Sequence, residues 1–414
     1  MRVLLVSASD RKGGAARAAY RLHKGLMKQE GVSSKMVVRA KSSDEPSVRG
    51  PSSYGEKIAA KLRPFLAKPI LRLQHSPNAI LHSINLLPSG WSKTINRSNA
   101  DVVNLHWIGK EMMSVAEVGR IEKPVVWTLH DMWPFCGAEH YTDPQSEVRY
   151  DVGYGRSNRA TGHSGIDLDQ WVWKRKMRSY ADKPITVVTP SQWLGECARS
   201  SMVFRDNRIE VIPNGIDTSL YKPMSQKVAR KIFNINSEKK LILFGAMDAT
   251  GDDRKGYSLL KDALVKLPEH VSDHVELGVF GASRGPDTIG KYDVNYLGTL
   301  QDDYSLVLAY SAADVFAAPS KQDNLPNTIM EALACGTPCV AFDVGGISDM
   351  IDDGKNGYLA RAFSAVDFAQ GIGWVLSNDE RLKSLSRASR HKVEQCFDSE
   401  VVSAQYIRLF ESLT

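Results

Sequence analysis

Residues 319–341, PSKQDNLPNTIMEALACGTPCVA, constrain the fold of this chain more than any other stretch. They read as a strand end, a loop carrying Asp323, a short helix carrying Glu331, and a new strand over 339–342. Pro326 suits a first helical turn, where its missing N–H costs nothing. Gly336 and then Pro338 stop the helix. Cys339, Val340, Ala341 and Phe342 are apolar enough for a strand covered on both faces, as in a parallel sheet. Such a unit belongs to a doubly wound α/β domain.

The two acids are placed for chemistry. Asp323 lies just before a helix N-terminus, where free backbone N–H groups favour an anion such as a diphosphate. Glu331 lies inside that helix. Carboxylates beside such a site accept hydrogen bonds from sugar hydroxyls. Either acid alone would be an ordinary surface or helix residue. Together they describe a site for a phosphate with hydroxyl-rich groups around it, which is a nucleotide sugar.

An acid, seven residues, a Glu and then Ala-x-Ala-x-Gly-x-Pro is a pattern with a resemblance. Here it is Asp323, Glu331 and Ala-Leu-Ala-Cys-Gly-Thr-Pro. It resembles the retaining GT-B glycosyltransferases of family 4. The resemblance implies two doubly wound Rossmann-like domains facing a central cleft. It also implies that Asp323, with the backbone of Asn324, Leu325, Pro326 and Asn327, meets the transferred sugar, and that Glu331 holds the nucleotide ribose. Relatives usually carry Glu followed by Gly-Phe-Gly. This chain has the shorter Asp323 followed by Asn-Leu-Pro, a departure that bears on sugar preference.

Length and charge fit that picture. At 414 residues the chain is long enough for two domains with full cores. Residues 1–200 carry 30 lysines and arginines against 18 acids, a net +12, while 201–414 carry 23 against 29, a net −6. The basic first half suggests an anionic partner: phospholipid headgroups, a lipid diphosphate or an acidic glycan. No nucleic-acid-binding motif appears, so nucleic acid is not expected. Cys136, Cys197, Cys335, Cys339 and Cys396 have neither metal nor disulfide-framework spacing and fit a reducing compartment. The start, MRVLLVSAS, suits a first strand better than a signal peptide. No run of about 18 apolar residues suggests a membrane span. A cytoplasmic location, with contact at the inner face of the membrane, is the expectation.

In chain order, residues 3–7 form a strand, SASDRKGG a loop, and 15–28 a helix. Gly13 and Gly14 let backbone approach a ligand at that helix start. Gly-Gly-Ala-Ala-Arg-Ala-Ala-Tyr resembles the opening of family 4 enzymes, which places the loop near donor phosphate and acceptor. Ile58, Leu62, Phe65 and Leu66 have helical spacing among Lys57, Lys61, Arg63, Lys68 and Arg72. Pro64 and Pro69 should kink or break that helix. The stretch reads equally as a membrane-surface element or an ordinary solvated helix.

Residues 101–107 and 124–130 read as buried strands ending in His106 and His130. The resemblance makes His130 the pocket histidine near sugar and acceptor, and His106 a supporting or structural residue. His23, His75, His270 and His391 read as structural. Residues 134–169 have little periodicity and suggest an acceptor-binding lid. A helix follows, carrying Trp171, Trp173 and cations over 174–178. It reads as a second interfacial element or as core packing. Pro213 and the Asn214-Gly215 turn mark a domain boundary.

The second domain restarts with a strand at 240–245 and a loop ending in Arg254-Lys255-Gly256. Lys255 fits a family Lys-Gly position, and a cation there neutralises a diphosphate leaving group. Many relatives have another Arg after the strand's glycine; here Ala246 stands there, and either Arg254 substitutes or the charge stabilisation is weaker. Strands follow at 276–281, 295–300 and 314–319, and Val-Gly-Gly over 344–346 closes the site region. Residues 399–414 form a terminal helix that the resemblance returns to the first domain.

The expected organisation is therefore an acceptor-binding domain over 1–213, completed by 399–414, and a nucleotide-sugar-binding domain over 214–398. The implied reaction moves a sugar from a UDP- or GDP-sugar to a glycan or polyprenyl-diphosphate-linked acceptor in bacterial surface-polysaccharide synthesis. It retains anomeric configuration and uses no catalytic metal and no further cofactor. A GT-B epimerase and a non-catalytic nucleotide-sugar-binding protein are the alternatives.

Overall fold

The computed structural model describes every residue except 79, 143–147, 246–252, 282–287 and 301. The chain forms two compact units, Met1–Pro213 with Ser403–Thr414, and Asn214–Val402.

The first unit holds a seven-stranded sheet in the order Val48–Arg49, Ser33–Ala40, Arg2–Ser9, Val102–Leu105, Val125–Thr128, Ile185–Thr189, Ile209–Val211. Every pairing is parallel. The central strands are buried along their length because helices cover both faces, which is why they read as unbroken apolar runs. Strand order reverses between Arg2–Ser9 and Val102–Leu105. The terminal helix Ser399–Glu411 supplies Tyr406 and Phe410 to this unit, and the Tyr406 hydroxyl lies 3.0 Å from Thr128 Oγ1.

The second unit repeats the plan in the order Thr288–Ile289, Tyr292–Gly298, Val275–Phe280, Lys240–Gly245, Val315–Ala318, Cys339–Phe342, Gly357–Ala360. Among the described residues, only the edge hairpin at Thr288–Ile289 is antiparallel. The reversal falls between Lys240–Gly245 and Val315–Ala318. In sheets of this kind, ligands bind beyond the carboxyl ends of the strands at that reversal. The loops there end in Lys255 on one side and Asp323 on the other.

Part of the stretch 134–169 packs inward. Phe135, Cys136, Ala138, Tyr150 and Tyr154 are buried. Lys176, in the helix that reads as either an interfacial element or core packing, is fully buried. Its ammonium donates to the carbonyls of Trp133, Cys136 (3.0 Å) and Gly137 (2.7 Å). It also sits 4.0 Å from the Trp133 ring centre. This cation satisfies backbone that would otherwise be stranded in the core.

Pro64 does lie inside the helix Tyr54–Leu66, which ends two residues later before a short turn at Lys68–Leu71. No helix among the described residues is long and apolar enough to cross a membrane. All five cysteines are free.

Candidate active site

In the second unit the helix Asn327–Ala334 follows the loop after Val315–Ala318. Pro326 stands one position earlier than expected, as the N-cap residue, and its carbonyl accepts from the N–H groups of Ile329 and Met330. Pro326, as the N-cap residue, brings no capping side chain of its own to this helix start, whose first backbone N–H groups carry the positive end of the helix. The far end closes as a Schellman turn: Gly336 N–H bonds Leu333 O and Thr337 N–H bonds Ala332 O. Arg390, which the sequence reading did not single out, donates to Ala334 O at 2.9 Å. A cation on the last carbonyls steadies the helix that carries Glu331.

Lys255 and Asp323 meet. Lys255 Nζ donates to Asp323 Oδ2 at 2.7 Å, and both side chains are partly buried. Asp323 Oδ1 accepts from Asn324 N–H at 3.0 Å. The two loops are also stitched by Lys321 N–H to Arg254 O at 2.8 Å and by the Lys321–Asp253 ion pair at 2.7 Å. Gly256 has φ +70°, and a Cβ there would lie 1.8 Å from Pro319 O. Gly345, at φ +59°, would place a Cβ 1.9 Å from Asp323 O. Only glycine fits at either position, so the Lys-Gly and Val-Gly-Gly sequences exist to let these loops touch.

Glu331 is 2 % exposed and accepts from the Tyr310 hydroxyl at 3.0 Å. Burial, and then Glu331 itself, push the Tyr310 phenol well above its usual range, so it stays a donor. Asn324, Leu325 and Pro326 are buried beside Asp323, and Asn327 is partly exposed at the helix start. Arg254 is partly exposed next to Lys255. Ala246 lies outside the described residues, so the question of the missing Arg is one of sequence alone.

In the first unit the expected histidine pair is in contact. His106 Nδ1 lies 3.0 Å from His130 Nε2, with the rings near parallel. Burial pushes His130 down to about 4 and holds His106 well below the imidazole range, so both rings are neutral near pH 7. The next residue, Asp131, accepts from Trp107 Nε1 at 2.7 Å and lies 2.6 Å from His140 Nδ1. His140 in turn reaches Ser83 Oγ at 2.8 Å. This network fixes the His130 loop, and Asp131, His140 and Trp107 escaped the sequence reading. Gly13 precedes the helix Gly14–Met27, and a side chain there would meet nothing within 4 Å. The backbone beside it is accessible.

Asp167 and Asp169 stand at Asp-x-Asp spacing. Both are spent on structure. Asp167 caps its helix through Gln170 N–H and pairs with Arg149 at 2.7 Å. Asp169 accepts from Gln74 Nε2 and Ala138 N–H. Among the described residues, no group of three or more His, Cys, Asp or Glu is arranged to hold a metal ion.

Comparisons with known proteins agree across both units. Residues 12–220 match the profile described as Glycosyltransferase Family 4, and residues 238–378 match Glycosyl transferases group 1. A D-inositol 3-phosphate glycosyltransferase of Corynebacterium aurimucosum is 32% identical over 289 residues, covering 66% of this chain and 65% of that protein. A second such protein, from Mycolicibacterium smegmatis, is 32% identical over 212 residues, covering 48% of this chain and 46% of its own. These matches thus span about half to two thirds of the relatives' length. Among solved structures, sucrose-phosphate synthase from Thermosynechococcus elongatus superposes with TM-score 0.69 at 18% identity, covering 100% of this chain and 99% of that one. Anabaena HepE, solved with UDP and glucose, gives TM-score 0.66 at 17% identity over 100% of both. At such identities the likeness concerns the fold.

Proposed function

The chain belongs to glycosyltransferase family 4 and has the GT-B fold, and on that premise we propose that it transfers a sugar from a nucleoside-diphosphate sugar to a hydroxyl-bearing acceptor. The observation that carries this is the Lys255–Asp323 pair, held where strand order reverses and beside the start of the helix bearing Glu331. Lys255, with Arg254 beside it, supplies charge to the departing diphosphate. Asp323 and the backbone of residues 324–327 take the sugar hydroxyls, and Glu331 takes the ribose. That HepE was solved with UDP and glucose supports a uridine nucleotide.

The reaction retains anomeric configuration. The leaving phosphate takes the proton of the incoming hydroxyl, so the protein supplies position and charge rather than a dedicated base or a metal. The first unit, with His130 and the accessible backbone at Gly13 and Gly14, binds the acceptor. That acceptor is a glycan or polyprenyl-diphosphate-linked glycan of a bacterial surface polysaccharide, reached at the inner membrane face.

Thermal shift against UDP, GDP, ADP and their sugars, with and without EDTA, tests the donor half of this reading, because a ligand bound only by the folded state raises Tm. A shift with one nucleotide class, indifferent to EDTA, is expected. A shift that EDTA abolishes would replace the metal-free mechanism. No shift with any nucleotide would favour a non-catalytic role.

A further inference from the structure

The helix Tyr54–Leu66 has no buried residue. Its apolar side chains are nevertheless sorted to one side. Tyr54, Ile58, Leu62, Phe65 and Leu66 follow at intervals of four, four, three and one, which places them within about a third of a helical circumference. Their exposures are 81, 40, 54, 58 and 58%. The opposite side is what holds the helix to the domain. Arg63, roughly half a turn away from Tyr54, donates to the carbonyls of Glu111 (2.9 Å), Pro88 (2.8 Å) and Leu87 (2.6 Å). The apolar stripe therefore points away from the protein, which is the reverse of how an amphipathic helix packs on its own core.

The charges around the stripe have one sign. Residues 57–73 contain Lys57, Lys61, Arg63, Lys68 and Arg72 and no acid. Glu56, the nearest carboxylate, is consumed in the capping box with Ser52 and Ser53. Lys57 and Lys61 flank the stripe, and Lys68 reaches over the Phe65 ring at 4.7 Å. The apolar surface continues past the helix: Leu73 is 51% exposed, Ile166 is 54% exposed, and Ile166 N–H bonds Leu73 O at 2.9 Å.

We infer that this helix face is a docking surface for an anionic phospholipid membrane. The stripe enters the interface between headgroups and acyl chains. Lys57, Lys61, Lys68 and Arg72 meet lipid phosphates, their long stems lying along the apolar side chains. A stripe ringed by cations of one sign matches an anionic lipid surface in charge. The inference is independent of which donor and acceptor the protein uses.

Co-sedimentation of the full chain with vesicles of phosphatidylcholine, alone or mixed with phosphatidylglycerol, tests it. Wild type should bind the mixed vesicles, and added salt should weaken binding. Each cation near such a surface is worth about fivefold in affinity, so Lys57→Gln with Lys61→Gln should weaken binding roughly 25-fold. Leu62→Ser with Phe65→Ser should weaken it at unchanged net charge. Because all four side chains are exposed, Tm of every variant should match wild type. Failure to bind mixed vesicles, or equal binding by the variants, would overturn the proposal. So would a wild-type dimer in light scattering that the Leu62/Phe65 variant abolishes, which would assign the face to a second copy of the chain.

Discussion

Lys255 Nζ lies 2.7 Å from Asp323 Oδ2, so two residues 68 positions apart form one unit at the carboxyl ends of adjacent strands. Sequence reasoning gives them separate tasks, one on the diphosphate and one on the sugar. The geometry makes each depend on the other. Asp323 fixes the ammonium, and the ammonium orients the carboxylate.

Lys255→Ala should lower kcat by about 100-fold or more, the usual loss when a preorganised charge at a leaving group is removed. Its Tm should change little. Asp323→Ala should also lower turnover, and the double variant should lose less than the product of the two, because residues in contact are not independent. Steady-state kinetics of the three variants decide this. Strict multiplicativity of the losses would mean that the ion pair has no part in turnover.

Glu331 calls for a different design, because it is buried against Tyr310. Alanine there strands a phenol donor in the core and should cost about 1–3 kcal/mol of stability. Glutamine keeps an acceptor for Tyr310 but loses the charge that strengthens a bond to ribose. Glu331→Gln should therefore hold wild-type Tm while weakening nucleotide binding, and Glu331→Ala should lose both. Calorimetric titration of a nucleotide beside thermal melts separates the two. A Glu331→Gln protein that binds as tightly as wild type would remove Glu331 from the site.

What the sequence revealed follows from how local the signal is. The strands Lys240–Gly245 and Cys339–Phe342 stand out because a buried parallel strand must be apolar at successive positions. Asp323 and Glu331 stand out because their spacing is fixed by one loop and one helix. The Lys255–Asp323 contact, the Arg390 cap and the His106–His130 contact join distant segments, and no local pattern carries them. The helix carrying Lys176 reads two ways for a related reason: in a run of cations, periodicity does not say which one turns inward to bind carbonyls. The stretch 134–169 shows little hydrophobic periodicity because it is rich in glycine, tyrosine and charged residues. In the described residues its polar groups pair with one another, as Arg149 does with Asp167.

The histidine contact leads to a prediction about a proton. His106 Nε2 is buried with no hydrogen-bond partner among the described residues, while Nδ1 faces His130 Nε2 at 3.0 Å. A buried N–H left unpaired is costlier than an unpaired lone pair. The proton of His106 should thus sit on Nδ1 and point at His130, which leaves His130 protonated on its own Nδ1. His130 is then a neutral donor from that nitrogen. Long-range nitrogen–proton NMR of the imidazoles reads the tautomer directly. Wild type should show His130 as the Nδ1–H form. His106→Asn, whose amide can replace the Nδ1 donor, should keep it, and His106→Leu should lose the preference along with activity. An Nε2–H tautomer of His130 in wild type would reverse the assignment.

The last prediction concerns pH and comes from His23, a histidine with no part in the site. It is buried between Ser34 Oγ and Ser47 Oγ, each at 2.8 Å. Burial, only partly opposed by Glu45, pushes it down to about 4. In the unfolded chain its pKa is the ordinary ~6.5. Between those values the unfolded state binds a proton that the folded state refuses, so stability falls as pH drops from about 6.5 towards 4. Each pH unit in that window costs about 1.4 kcal/mol for this one group, of order 3 kcal/mol across it. The carboxylates held low, such as Glu45 and Asp101, lose their contributions only nearer their own unfolded values, at the acid end of the window. His23→Gln should be less stable than wild type at pH 7.5, where the histidine is neutral and well bonded, yet show a shallower decline on acidification. Urea melts of both proteins across the window give the two slopes. Parallel slopes would mean that His23 takes up its proton in the folded state as readily as in the unfolded one.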